Sequence, residues 1–304
     1  MTESNSSPAA ARLGIDWGTS NRRAYVLNAR GELIHQHSDD AGILHVERDF
    51  EGSLRKLLQT LGLPSADIVM SGMIGSRNGW REAPYLSVDQ PLTALHDNLM
   101  EIDTGIPGVR CRVTPGYKYM DVNGIPDVMR GEETQVLGTL SLSAADGWFL
   151  LPGTHSKWVR VEDGGMTEFL TFMTGELFSL MSQHGTLSKV MTEQQSIPEA
   201  FAAGVRAARH GSFTHTAFCC RALVVTDMMP ADHTASYLSG LLIGTEIHDI
   251  LQRTHGPMRS PVQVVGSPGL SARYLSALEL LGIHARAWQP DGVYLAALRA
   301  LFKL

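Results

Sequence analysis

Cysteine is scarce in this chain: Cys111, Cys219 and Cys220 are the only three in 304 residues, and none forms a Cys-x-x-Cys pair. That excludes a secreted disulfide framework and a cysteine metal site, and fits a reducing compartment in which the three act as small apolar residues. No apolar run is long enough to cross a bilayer. The 12 histidines show no metal-ligand spacing. Basic residues are in deficit, 25 Lys and Arg against 31 Asp and Glu for a formal charge of −6, which argues against nucleic acid or a membrane surface as partner. The expected partners are small molecules and the expected location is the cytoplasm. Met1 to Ala11 is rich in Ser, Ala and Pro, has no basic start followed by an apolar core, and reads as a disordered tail.

The chain has room for about two domains, and one small device occurs in each half. Gly14-Ile15-Asp16-Trp17-Gly18-Thr19-Ser20 runs into a strand at Ala24 to Leu27, a turn at Gly31 and a strand at Glu32 to His35. Leu150-Leu151-Pro152-Gly153-Thr154-His155-Ser156-Lys157 runs into a strand at Trp158 to Val161, a turn at Asp163-Gly164-Gly165 and a strand at Met166 to Phe169. Glycine lets the backbone turn and leaves room for N–H groups to approach anionic oxygens, so both turns read as phosphate clamps. Neither is a Walker A loop or a dinucleotide fingerprint. Asp16 ends the first strand beside the clamp, where a carboxylate would hold magnesium directly or through water.

Periodicity predicts helices over Phe50 to Leu61, Pro91 to Met100, Gly131 to Leu142, Glu176 to Gln183, Ile197 to Arg209, Ala235 to Gln252, Leu270 to Leu281 and Asp291 to Leu304. Strands are predicted at Asp67 to Met70, Val109 to Val113, Val262 to Val265 and His284 to Trp288. The polar break Ala144-Ala145-Asp146-Gly147 divides an N-terminal domain, 12–145, from a C-terminal one, 146–304. Between a strand and a helix, Gly266-Ser267-Pro268-Gly269 is placed to present backbone to a ligand, here adenosine.

This order of elements resembles the superfamily of sugar kinases, acetate kinase, actin and heat-shock ATPases. The resemblance implies an α/β fold of two ribonuclease-H-like (actin-like ATPase) domains flanking an ATP and substrate cleft. Asp16-Trp17-Gly18-Thr19-Ser20 matches its first phosphate motif, Pro152 to Lys157 its second, and Val265 to Gly269, loosely, its adenosine motif. A closer resemblance, to the 2-dehydro-3-deoxygalactonokinase family, covers nearly the whole chain after residue 11. It rests on Ile15 to Asn21, Asp40 to Ile43, Ser71 to Arg77, Gly79 to Tyr85, Pro126 to Gln135, Leu151 to Trp158 and Thr171 to Leu177. It implies transfer of the ATP γ-phosphoryl group to the 6-hydroxyl of 2-dehydro-3-deoxy-D-galactonate, with Mg2+, in galactonate catabolism.

Phosphoryl transfer needs positioning, charge neutralisation and a carboxylate for the hydroxyl proton. Glu132 aligns with the base of related sugar kinases, and Glu133 and Asp127 are the reserves; both glutamates also suit a helix N-terminus. Lys157 would neutralise the transferring phosphoryl group. Gly18, Thr19, Ser20, Gly153, Thr154, His155, Gly266, Ser267 and Gly269 are the nucleotide-binding candidates, although His155 equally suits a polar structural role. A substrate carboxylate calls for a guanidinium, and Arg77, Arg81 and Arg130 are the candidates. Ser71, Trp80 and Tyr85 would wall the sugar pocket. A kinase for a related keto-deoxy or aldonic acid is the second reading. A non-catalytic nucleotide- or sugar-binding regulator is the third, and a homodimer is compatible with all of them.

Overall fold

The computed structural model describes residues 11–142, 146–192, 196–254, 258 and 260–304, which group into two compact units. The first unit comprises the described residues up to 142 with Val161–Glu168 and Pro290–Leu304; the second comprises Asp146–Arg160 and Phe169–Gln289.

In the first unit β1 (Ala11–Trp17), β2 (Arg22–Leu27) and β3 (Leu33–Asp39) form an antiparallel meander. Helix α1 (Phe50–Thr60) leads to β4 (Ala66–Ser71), which pairs parallel with β1. After β5 (Tyr85–Ser87) and the single turn α2 (Ala94–Asp97), β6 (Met100–Ile102) and β7 (Val109–Val113) complete the order β3-β2-β1-β4-β7-β6. β8 (Gly116–Met120) and β9 (Pro126–Met129) join β5 in a separate three-stranded sheet, and α3 (Glu132–Ser141) follows. Strand β1 lies between two neighbours, so its apolar residues pack inward. Leu13, Ile15 and Trp17 are buried with Ile68 and Met70 against Phe50, Leu54 and Leu57 of α1. Asp49 starts that helix by accepting a 2.9 Å hydrogen bond from Gly52 N–H.

The second unit repeats the plan, apart from Val161–Glu168 of its meander, which group with the first. β10 (Gly147–Leu151), β11 (Ser156–Glu162) and β12 (Gly165–Phe172) are followed by α4 (Thr174–Gln183), α5 (Gly185–Ser188), α6 (Pro198–Ala207), α7 (Phe213–Val225) and α8 (Thr234–Arg253). Then come β13 (Val262–Val265), α9 (Pro268–Leu280) and β14 (Ala285–Trp288). The sheet order is β12-β11-β10-β13-β14, with β13 parallel to both β10 and β14. Asp163 and Gly164, both at positive φ, make the two-residue turn between β11 and β12. Each large sheet thus has a meander whose first strand is extended by a later parallel strand, the expected ribonuclease-H-like arrangement. Helix α10 (Pro290–Phe302) follows β14 in sequence but packs on α3 in the first unit.

Three details differ from the sequence expectation. Ala11, assigned to the tail, begins β1 and pairs with Ala66; residues 1–10, 144 and 145 lie outside the described residues. The helix expected at Pro91 to Met100 shrinks to α2, because Met100 is drawn into β6 opposite Val113. The three-stranded sheet and α7 had no periodic signal: α7 is apolar around most of its circumference, so no stripe marks its buried face. Among the described residues no helix is long and apolar enough to cross a membrane, and the three cysteines are free.

Candidate active site

The first glycine turn is held from behind. Gly18 N–H donates to Asn21 O at 2.9 Å, while Ile43 N–H and Leu44 N–H donate to Gly18 O and Thr19 O at 3.0 and 3.1 Å. The Asp40 to Ile43 block is therefore a strap under the turn. A Cβ on Gly42 would stand 2.3 Å from the Ser20 carbonyl carbon, which excludes any larger residue. Trp17 Nε1 donates to Ala41 O at 2.7 Å and fixes the other side of the strap. Thr19 and Ser20 are left exposed at the tip.

Asp16 closes β1 beside this turn. Arg23, on the antiparallel partner strand, donates to Asp16 Oδ2 at 2.7 Å. Burial raises the Asp16 pKa and the Arg23 charge offsets part of that rise. Gly72 follows β4 at φ 88°, and a Cβ there would lie 3.0 Å from Trp17 O and 3.3 Å from Asp16 Oδ1. Gly131 stacks on it in turn, its Cβ position 3.2 Å from Gly72 Cα at φ 110°. Two glycines in the left-handed region thus bring the start of α3 down to Asp16. Beneath them Ser71 Oγ and Tyr294 OH share a 2.8 Å hydrogen bond, and Tyr25 OH donates to Asp291 Oδ1 at 2.7 Å.

Glu132 and Glu133 cap their own helix. Glu132 Oε2 accepts from Arg130 N–H at 3.0 Å, and Glu133 Oε2 accepts from Gly131 N–H at 2.7 Å. Their environments differ. Glu132 is half-buried, whereas Glu133 is fully buried. Burial, reinforced by the neighbouring Glu132 charge, pushes the Glu133 carboxyl up to about 7. Asp127 stands half-buried on β9, accepting from Val128 N–H at 2.7 Å.

The three candidate arginines separate clearly. Arg77 is 88% exposed, with Glu82 at 3.8 Å, and Arg81 is also exposed. Arg130 is 8% exposed, lies over the Tyr85 ring at 4.2 Å and donates from Nη2 to Ala83 O at 2.8 Å. Its Nε and Nη1 are buried with no hydrogen-bond partner among the described residues. A Cβ on Gly75 would approach Nη1 to 3.1 Å, so the block Ser71 to Arg77 faces this guanidinium through glycine. Trp80 stacks on Phe50 at 6.2 Å and packs against the core cluster, a packing role for its ring.

In the second unit the Pro152 to His155 turn meets the start of α4. A Cβ on Gly175 would lie 2.5 Å from Gly153 O, and Glu176 N–H donates to Thr154 O at 3.0 Å. Thr154 and His155 are exposed, and His155 Nε2 contacts Glu176 Oε2. Lys157 is buried, with Nζ donating to Thr171 Oγ1 at 2.6 Å. Gly266 packs on the same turn, its Cβ position 3.2 Å from Pro152 Cδ, and Ser267 and Gly269 lie exposed at the start of α9. Beyond Gly269 opens a cavity of about 470 Å³ lined by Phe178, Phe201, Ser239, Arg273 and Ser276, within the size range of small-molecule sites. The N-terminal ends of α4 and α9 carry the positive end of the helix dipole, which suits an anion. Among the described residues no cluster of three or more His, Cys, Asp or Glu could hold a metal.

The family model for 2-keto-3-deoxy-galactonokinase matches residues 16–301. A 2-dehydro-3-deoxygalactonokinase of Escherichia coli (strain K12) is 30% identical over 294 residues, covering 96% of this chain and 97% of that protein. A Rhizobium meliloti (strain 1021) protein assigned to the same activity is 34% identical over 299 residues, 94% of each chain. The crystal structure of a Sinorhizobium meliloti protein, likewise so assigned, superposes with a TM-score of 0.87 at 33% identity, covering 96% of both chains.

Proposed function

The chain belongs to the 2-keto-3-deoxy-galactonokinase family, and from that membership we propose that it transfers the γ-phosphoryl group of ATP to the 6-hydroxyl of 2-dehydro-3-deoxy-D-galactonate. The observation that carries the sugar-acid half of this reading is Arg130. A buried guanidinium with two unpartnered nitrogens is costly unless a ligand completes it, and a planar fork matches a carboxylate. Tyr85 beneath it and Gly75 beside it leave one face for the acid. Exposed Arg77 and Arg81 have no comparable claim on the substrate carboxylate.

In this reading the Gly18-Thr19-Ser20 turn of the first unit and the Gly153-Thr154-His155 turn of the second each offer backbone and hydroxyl donors to phosphate. Adenosine enters the cavity beside Gly266, Ser267 and Gly269. Asp16 would hold Mg2+, directly or through water, since its Oδ1 faces a residue without a side chain and its Oδ2 is steadied by Arg23. Bound there, the ion would neutralise phosphate charge, and Lys157 would do the same from β11. Glu132, the more accessible of the two glutamates, accepts the 6-hydroxyl proton. The new oxygen–phosphorus bond forms as the bond to the ADP oxygen breaks, and ADP leaves. Glu133, fully buried, holds the turn through Gly131 rather than touching substrate. A cytoplasmic location accords with three unpaired cysteines.

A coupled ADP-release assay on a panel of sugar acids tests the proposal. Turnover should be highest on 2-dehydro-3-deoxy-D-galactonate. Turnover only on another acid would change the substrate, and nucleotide binding without turnover would remove the enzyme reading.

A further inference from the structure

Glu246 sits in the interior of the second unit, 2% exposed, on α8, where Leu242, Ile243 and Ile250 are its buried apolar neighbours one turn away. Its carboxylate takes four hydrogen bonds. Oε1 accepts from Ser156 Oγ at 2.7 Å and Trp158 Nε1 at 2.6 Å; Oε2 accepts from Tyr274 OH at 2.8 Å and from Thr174 Oγ1. Two oxygens offer about four lone-pair sites, so an ionised carboxylate is saturated by this set. A buried charge of this kind costs stability unless fully bonded, and apolar packing could fill the same volume more cheaply.

The donors come from three separate elements. Ser156 directly follows the Gly153-Thr154-His155 turn. Thr174 opens α4, whose next residue, Gly175, lies on Gly153 O. Tyr274 is on α9, which begins at the Gly266 to Gly269 turn, and Gly266 itself packs on Pro152. One carboxylate therefore ties the phosphate turn, the helix behind it and the adenosine turn to a common point.

We propose that Glu246 is a positioning residue for the nucleotide: it sets the Pro152 to His155 turn and the Gly266 to Gly269 turn in one register, without touching substrate. This rests on the kinase reading above. Preset geometry of this kind governs affinity and rate strongly, because small misplacements of binding groups are costly.

Glu246→Gln in the full chain is the test. The Trp158 indole can only donate, so the amide oxygen stays on the Trp158 and Ser156 side and the NH2 group turns toward Thr174 and Tyr274. Those two hydroxyls can rotate to accept it, which preserves the fold but weakens the links to α4 and α9. ADP affinity by titration calorimetry should fall about tenfold, with KM for ATP rising in parallel and KM for the sugar acid staying within about twofold. Tyr274→Phe, which removes only the α9 link, should give the same split at smaller size. Unchanged ADP affinity in Glu246→Gln overturns the proposal, as does an equal rise of both KM values accompanied by a lower Tm. Failure of the unsubstituted protein to bind ADP would remove the kinase reading and this inference with it, whereas normal binding there beside an unaltered variant removes this inference alone.

Discussion

Glu132 and Glu133 are adjacent in sequence and chemically distinct in the fold, and substitution separates them. Glu132→Gln should retain ADP binding and lose most turnover, since removing a general base typically costs about 10²–10⁴-fold; unchanged kcat would move the role elsewhere. The proposed mechanism leaves Glu133 to act on stability. Its carboxyl is raised from 4.5 to about 7 in the folded chain, so the native state binds the extra proton across that interval. Its contribution to stability is complete below the lower value and is lost as pH rises through the upper one. Glu133→Gln should therefore flatten this part of the profile, with a gain in Tm over the unsubstituted protein that is larger at pH 8 than at pH 5. Arg130→Ala should raise KM for the sugar acid by roughly 30-fold, the equivalent of about 2 kcal/mol for a charged hydrogen-bonded contact, with KM for ATP little changed. Equal KM values for the acid in the variant and the unsubstituted protein would assign its carboxylate to another group. In the sequence these residues were legible as a set of candidates and no further. Arg77, Arg81 and Arg130 all stand in unusual blocks, and what isolates Arg130 is Ala83 and Tyr85, more than forty positions away. Glu246 gave no signal at all, because a single glutamate in an apolar helix has no local pattern.

At the scale of elements, the glycine turns were the readable part. Gly42, Gly72 and Gly175, which pack beside them, are places where a Cβ would meet backbone at 3.0 Å or less. Gly72 shows the constraint best: at φ 88°, with Trp17 O 3.0 Å from its Cβ position, Gly72→Ala should cost on the order of 1–3 kcal/mol. The same change should depress activity through displacement of Asp16, measurable as a lower Tm together with weakened dependence on added magnesium. A variant with normal Tm would remove the steric argument. The small β5-β8-β9 sheet was not readable. Its strands are short, and Met120, Val122, Ile125 and Val128 are exposed apolar residues that obscure any alternation. Yet this sheet brings Tyr85 and, through β9, Arg130 together at the proposed carboxylate site.

At the scale of the molecule, the last helix belongs to the first unit although the stretch before it, Phe169–Gln289, belongs to the second. Tyr294 reaches Ser71, Leu298 fills the space above Gly14, and a Cβ on Gly138 would come within 2.0 Å of Val293 O. Deleting Pro290–Leu304 should therefore unfold the first unit rather than trim an end, seen as loss of its cooperative transition and of activity. Retention of both would show the helix to be dispensable. The amino-acid sequence by itself determined the α/β class, the two glycine turns, the family and the pool of acids and arginines, because turn geometry, periodicity and clustered residue types are local properties. Only the tertiary structure decided which arginine is buried, which glutamate is raised, that α10 returns to the first unit and that Glu246 binds three elements together. Burial and partnership depend on residues far apart in the chain, and desolvation acts only when folding brings them into contact.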